Sequence, residues 1–456
     1  MMAFPTKAEV KLPAVFSDNM VLQQQSQTAI WGWAKANTNV KVTGSWNGKS
    51  YTVQSDSKGY WKVKILTPAA GFTPYRLTVS DGKAVVLHNV LIGEVWLCSG
   101  QSNMEMPMKG FGGQPIAGGP EAIAHSSNPG IRCFTAARAS TVTPQDDCSG
   151  TWEVANPQTV PNFTATGYFF ARLINQTLNV PVGLLSINWG GSRIEAWMTP
   201  AALKDIPGKP LPATDADNKV QNGTPTVLYN GMLHPVVGYG IRGAIWYQGE
   251  SNREEPALYV QLFDNMVREW RNSWGVGEFP FYYCQIAPFN YNDTHNSVYL
   301  REAQSKGLAT PNTGMAVLMD ADSPNCIHPP KKKDAGERLA LWALAKTYGM
   351  EKMHYRSPEY KSFTTEGHLA ILTFEMFDSK NGLTAFGKDI RNFVIAGENK
   401  RFYPATAVTG GNKVYVFSPS VAKPVAVRYC WDNTSATEIF STEGNLPVAS
   451  FRTDEW

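Results

Sequence analysis

The segment EVWLCSGQSNMEM, residues Glu94 to Met106, changes character halfway along. Val95 to Cys98 form a short apolar run of the kind that fills a buried strand. Gly100, Gln101, Ser102 and Asn103 are small or polar, and Met104 and Met106 then restore the apolar pattern. A serine between two amides at a strand end is either part of a tight turn or a nucleophile held up for chemistry. In an open α/β sheet, ligands bind outside the carboxyl ends of the strands. The other strand ends therefore decide how this one is read.

Downstream, strands and helices alternate, which implies an α/β layer with a mostly parallel sheet flanked by helices. VGLLSINWGG is a strand, preceded by helical spacing of Phe169, Phe170, Leu173 and Ile174 over residues 167–179. IRGAIWYQGESN is another strand, followed by a helix over 256–274 with Tyr259, Leu262, Phe263, Met266, Val267 and Trp270 on one stripe. FPFYYCQIAP, a helix near 298–308, GMAVLMD and a helix over 329–348 complete the layer. Upstream, TAIWGWA, NVKVTGSW, KSYTVQS, YWKVKIL, YRLTVS and KAVVLHNV are separate short strands. Asn47-Gly48, Lys58-Gly59 and Asp81-Gly82 mark turns between them. This spacing predicts a β-sandwich or jelly-roll over 1–92, the α/β domain over 93–350, and a β region over 351–456.

Composition narrows the function. A chain of 456 residues is too long for one core, so two or three domains are expected. Charged residues at 17% are few, while 12% aromatics, including 14 Trp, suggest aromatic-lined surfaces. A net charge of +3, with no basic cluster longer than Lys331 to Lys333, argues against nucleic acid as partner. No run approaches the roughly 18 apolar residues of a membrane span. The N-terminus lacks an apolar signal core, so the protein is cytoplasmic or the sequence begins after a removed signal. Six scattered cysteines without a Cys-x-x-Cys pair make a structural zinc site unexpected. Cys133 and Cys148 could close a disulfide loop or remain two free thiols. The sequence leaves the oligomeric state open.

Four strand ends carry polar or glycine packets: residues 100–103, 188–192, 248–252 and 320–328. Together they hold a hydroxyl, bare glycine amides, a carboxamide and an imidazole. That is the set acyl transfer requires, since a serine needs an adjacent base and a tetrahedral oxyanion needs fixed N–H donors.

At these residues the chain resembles the sialate O-acetylesterases, within the SGNH (GDSL-type) hydrolases. SGQSNM, WGGSRIEAW, WYQGESN and IHPPKKKDAGERLA occur in the family's order, and LPAVFSDNMVLQQ and PVAVRYCWDN resemble its flanking β regions. The resemblance implies an SGNH-like fold and hydrolysis of O-acetyl groups on sugars, typically sialic acid, without metal or cofactor. It implies a periplasmic or extracellular location, with the signal peptide absent from this sequence. Ser102 would be the nucleophile and His328 the general base. The oxyanion donors would be the Ser102 and Gly191 amides and the Gln248 side chain.

Gln101, Asn103, Gly190, Arg193 and Glu250 are candidate substrate contacts, with Arg193 facing a sialic acid carboxylate or pairing with Glu195 or Glu250. Glu250 reads more readily as fixing the loop, and Trp189, Trp197 and Tyr247 as sugar platforms or core. His234 is the competing imidazole, read as structural. One departure stands out: the SGNH Asp three residues before the His is Asn325 here. Either Asp322 or a backbone carbonyl must orient His328, and a Ser–His dyad is slightly favoured. The rival readings are an acetyl esterase of plant polysaccharide and a non-catalytic carbohydrate-binding protein.

Overall fold

The computed structural model describes residues 10–321, 323–377 and 379–456. The chain forms two compact units. The first comprises Met1–Lys109, Gly118–Ile245 and Asn265–Pro280; the second comprises Gly110–Ala117, Trp246–Asp264 and Phe281–Trp456.

The first unit is organised by one 17-residue strand, Ala84–Gly100. Its first half pairs antiparallel with Gly71–Ser80, which pairs with Asn39–Gly44, which in turn pairs with Ser50–Gln54. Val21–Gln23 lies parallel beside Leu91 to Gly93, and Gln27–Trp33 pairs separately with Tyr60–Leu66. From Glu94 to Gly100 the same strand pairs in parallel with Val182–Asn188. That strand runs parallel to Asn128–Ala136, and Gly150–Ala155 adds an antiparallel partner. The sheet is therefore mixed: the mostly parallel reading holds for Val182–Asn188 and its two neighbours, while Gly150–Ala155 and the leading strands add antiparallel pairing. GTWEVA escaped notice because, although Trp152 and Val154 alternate with Thr151 and Glu153, six residues give only a weak strand signal.

KAVVLHNV and EVWLCSG are likewise one strand rather than two. Asn89, at φ 54°, bends the backbone, and the pairing with Gly71–Ser80 is irregular there, but the hydrogen bonds resume. Every residue from Val90 to Gly100 is buried, as a strand covered on both faces must be.

The helix Ala165–Leu178 starts at Thr164, whose hydroxyl accepts from the Gly167 amide, and stops at Asn179 in the left-handed region (φ 52°). It buries Phe169, Phe170, Ala171 and Ile174, with Phe170 edge-on to Trp96 at 5.0 Å. Trp96, Trp197 and Trp270 are fully buried in this unit, so much of the tryptophan content is core rather than binding surface. All six cysteines are free thiols. Cys133 faces Glu153 across the ladder, five positions beyond Cys148, and its sulfur lies 3.6 Å from the Thr135 hydroxyl.

The chain enters the second unit within the strand Gly243–Tyr247 and leaves it within the helix Pro256–Trp274. There Phe281–Cys284 and Thr313–Ala316 pair in parallel, with the helices Val298–Lys306 and Lys332–Trp342 following them in sequence. The C-terminal β region contains two four-stranded antiparallel sheets. Among the described residues no helix is long and apolar enough to cross a membrane.

Candidate active site

In the first unit the chain leaves the sheet at Gly100 and enters a single helical turn, Ser102–Glu105. The Met104 and Glu105 amides donate to the Gln101 carbonyl at 2.9 Å, and Met106 donates to Ser102 at 2.8 Å. A neighbouring segment holds the turn from outside. The Thr164 hydroxyl donates to the Met104 carbonyl (2.5 Å), Thr166 to Asn103 (3.2 Å), and the Ala165 amide to Met106 (2.8 Å). Gln101 and Asn103, expected at the substrate, are buried, whereas Ser102 between them is half-buried. A fixed turn thus presents one hydroxyl.

The glycine loop closes over this turn. Trp189 donates to the Gly100 carbonyl (3.2 Å), and the Gly190 amide donates to Glu105 Oε2 at 2.7 Å. Asn222 Nδ2 donates to the Gly190 carbonyl at 2.7 Å. Gly190 is tightly packed: a Cβ there would lie 3.0 Å from Glu105 Oε2 and 3.3 Å from the Ser102 Cβ, so these neighbours would have to give slightly. Gly191 is exposed at φ 71°, a conformation that favours glycine. Glu105 is anchored in turn by Arg138, whose Nε and Nη2 lie 2.7 and 2.6 Å from Oε1. Gly190→Ala is expected to displace the Glu105 carboxylate or the loop by a few tenths of an ångström and to lower kcat by several-fold, well short of the roughly 10²-fold that a full ångström of misplacement can cost. Steady-state kinetics on a small acetyl ester, with circular dichroism as a folding control, test this. An unchanged kcat would show that the close packing has no catalytic role.

In the second unit His328 is half-buried. Its Nδ1 lies 2.6 Å from Gln114 Oε1. A carbonyl oxygen only accepts, so Nδ1 carries the hydrogen and Nε2 keeps its lone pair, the tautomer a general base needs. Phe111 packs edge-on against the imidazole at 5.1 Å, and the Ala117 amide donates to the Pro330 carbonyl at 2.9 Å. Segment 110–117 thus holds the imidazole at two positions and the chain just after it at a third. Burial, and then the nearby Lys332 cation, hold the His328 pKa at about 4, below its ordinary 6.5. Lys332 is itself buried, donates to the Pro329 carbonyl at 2.7 Å and lies 5.8 Å from the Tyr247 ring. Its pKa falls to about 7 because burial outweighs the Glu250 carboxylate.

Gln248 is fully buried, donating to Asn252 Oδ1 (2.7 Å) and accepting from the Tyr259 hydroxyl (3.0 Å). Glu250 is buried as well. Asp320 forms a bidentate pair with Arg338 at 2.7 and 2.6 Å, which commits both its oxygens. Asn325 is exposed, and Asp322 lies outside the described residues. In the first unit, Arg193 Nε stands 3.8 Å from Glu195 Oε2, and Lys209 holds the other oxygen of Glu195 at 2.7 Å. His234 Nδ1 lies 2.8 Å from the Gln145 carbonyl. Trp197 is fully buried and Tyr247 nearly so, leaving Trp189 half-buried at the glycine loop.

Sequence reasoning missed Gln114, Glu105 and Arg138. Glu105 carried a signal, since it falls one helical turn after Ser102 on the same face. Gln114 lies 214 residues from His328, and no local pattern links them.

Residues 92–340 match the family described as carbohydrate esterase, sialic acid-specific acetylesterase, and the chain belongs to it. It is a carboxylic ester hydrolase. Its similarity to the sialate O-acetylesterase of Mus musculus is 27% identity over 96% of this chain and 93% of that protein. For the Homo sapiens sialate O-acetylesterase the figures are 26%, 92% and 87%. A solved structure of a carbohydrate acetylesterase from Xanthomonas citri superposes with a TM-score of 0.89 at 38% identity, covering 98% of this chain and all of that one. The mixed sheet, the helices beside it and the C-terminal sheets agree with an SGNH-like esterase fold.

Proposed function

We propose that the protein removes O-acetyl groups from sialic acids through an acyl-enzyme on Ser102. The observation that carries the reading is the buried turn that leaves Ser102 half-buried beneath the Gly190–Gly191 loop. In this mechanism His328 Nε2 takes the Ser102 proton as Oγ attacks the acetyl carbonyl, then delivers it to the departing sugar oxygen, which leaves as the alcohol. A water activated by the same nitrogen releases acetate. The oxyanion rests on the amides of Ser102 and Gly191 and on the Gln248 side chain, whose plane Tyr259 and Asn252 fix. The Gly190 amide is already engaged by Glu105, which favours Gly191 as the loop donor. Gln114 orients His328, in place of the backbone carbonyl favoured from sequence. Gln101 and Asn103 shape the turn rather than touch the sugar. The proposal includes a periplasmic or extracellular location.

Acetate release from O-acetylated sialoglycans, compared with acetylated xylan, tests the substrate assignment. Preference for xylan would replace it with a plant polysaccharide esterase, and no release from either, with Ser102 inert to an active-site phosphonate, with a binding protein.

The low His328 pKa gives a pH prediction with a definite sign. A lowered pKa keeps the imidazole neutral into acid, so kcat/KM should stay level to well below pH 6.5 and fall only toward about pH 4. Lys332→Met removes the cation and should move the acid limb upward, though only part of the way, because burial is the larger cause. A wild-type limb at 6.5 would show that His328 meets water freely.

A further inference from the structure

We infer that Arg138, rather than Arg193, receives the carboxylate of the sugar acid, an assignment that rests on the sialate reading above. Sialic acids differ from neutral acetylated sugars by the C1 carboxylate, so an enzyme that selects them needs a cation near the ester. In the first unit Arg138 meets that requirement. It is tied to Glu105, which stands one helical turn from Ser102 on the same face. Its guanidinium also lies 5.3 Å from the ring of Trp189, the residue before the glycine loop. Two anchors therefore hold it beside the nucleophile turn, while its side chain remains 51% exposed.

The guanidinium has five N–H groups in a planar fork. Nε and Nη2 face Glu105. The Nη1 hydrogens meet no acceptor among the described residues, and the Nη1–Nη2 edge has the geometry that binds a carboxylate through two parallel hydrogen bonds. Glu105 leaves that edge open, since it meets Nε and Nη2 through Oε1 alone while its second oxygen accepts from the Gly190 amide. Arg193 is placed differently. It is 28% exposed and faces the Glu195 carboxylate, which Lys209 shares. Trp189 adds a half-buried aromatic surface beside Arg138, so a sugar ring and its carboxylate can be read together.

The test compares kcat/KM for an O-acetylated sialic acid with that for its C1 carboxamide, in the wild type, Arg138→Gln and Arg138→Lys. The wild type should prefer the acid by about tenfold, as one charge-assisted pair allows. In Arg138→Gln the ratio should collapse toward one, with Arg138→Lys intermediate because a point charge replaces the fork. A merely structural loss would lower both substrates together and keep the ratio. A wild-type ratio of one, or an undiminished ratio in folded Arg138→Gln, overturns the assignment. If the wild type releases no acetate from either sialic acid substrate, the sialate reading itself fails, whatever the variants do.

Discussion

Ser102→Ala is expected to lower acetate release by about 10⁴-fold or more while leaving the protein folded. A nucleophile has no substitute, and the residual rate should be about 10³–10⁴ above water, from the oxyanion donors and binding alone. Folding should survive because the turn is held by other atoms. Thr164, Thr166 and the Ala165 amide donate to the Met104, Asn103 and Met106 carbonyls, and Ser102 is itself half-buried. The measurement is acetate production over hours, with thermal denaturation of both proteins alongside. A folded variant within tenfold of the wild type would remove Ser102 from the mechanism.

His328→Ala should reduce turnover nearly as far, because a serine hydroxyl reacts slowly without a base for its proton. The informative comparison is with the groups that orient the ring. Gln114 offers a neutral carbonyl at 2.6 Å, which fixes the tautomer but gives little stabilisation to an imidazolium. Gln114→Ala should therefore cost about 10-fold to 10²-fold, far short of the 10⁴ seen when a buried carboxylate partner is neutralised in other serine hydrolases. Asp322→Asn should likewise cost much less than His328→Ala. If Asp322→Asn matches His328→Ala in a folded protein, a full triad with Asp322 replaces the dyad.

The local parts of this architecture were legible in the sequence. The helices at Ala165–Leu178 and Pro256–Trp274 announced themselves through apolar stripes, and the turn glycines separated the N-terminal strands. The four packets stood out because small and polar residues interrupt apolar strands at their ends, although Gln101, Asn103, Gln248 and Glu250 turn out to be buried there. What failed was non-local. The Asn89 bend gives no signal that the strand continues past it, and the antiparallel partner Gly150–Ala155 is fixed by its neighbour's register. Tryptophan content cannot separate platforms from core, so Trp197 was a fair candidate until its burial was seen. Gln114 reaches His328 through tertiary placement alone, whereas Asn325 stands out only because the SGNH pattern has an Asp three residues before the His.

The unbroken strand Ala84–Gly100 also bears on how such a molecule can be taken apart or recombined. A cut between Ile92 and Gly93 looks like a module boundary in the primary structure. It falls instead inside one hydrogen-bonded ribbon, with Val21 to Gln23 pairing across the scission and Val182 to Asn188 beginning two residues beyond it. Grafting the leading β segment onto another protein, or deleting it, would leave a raw edge of unpaired amides and carbonyls, an aggregation hazard. Ser102 follows two residues beyond the far end of that ribbon, so the two halves of the strand are inherited as a single piece.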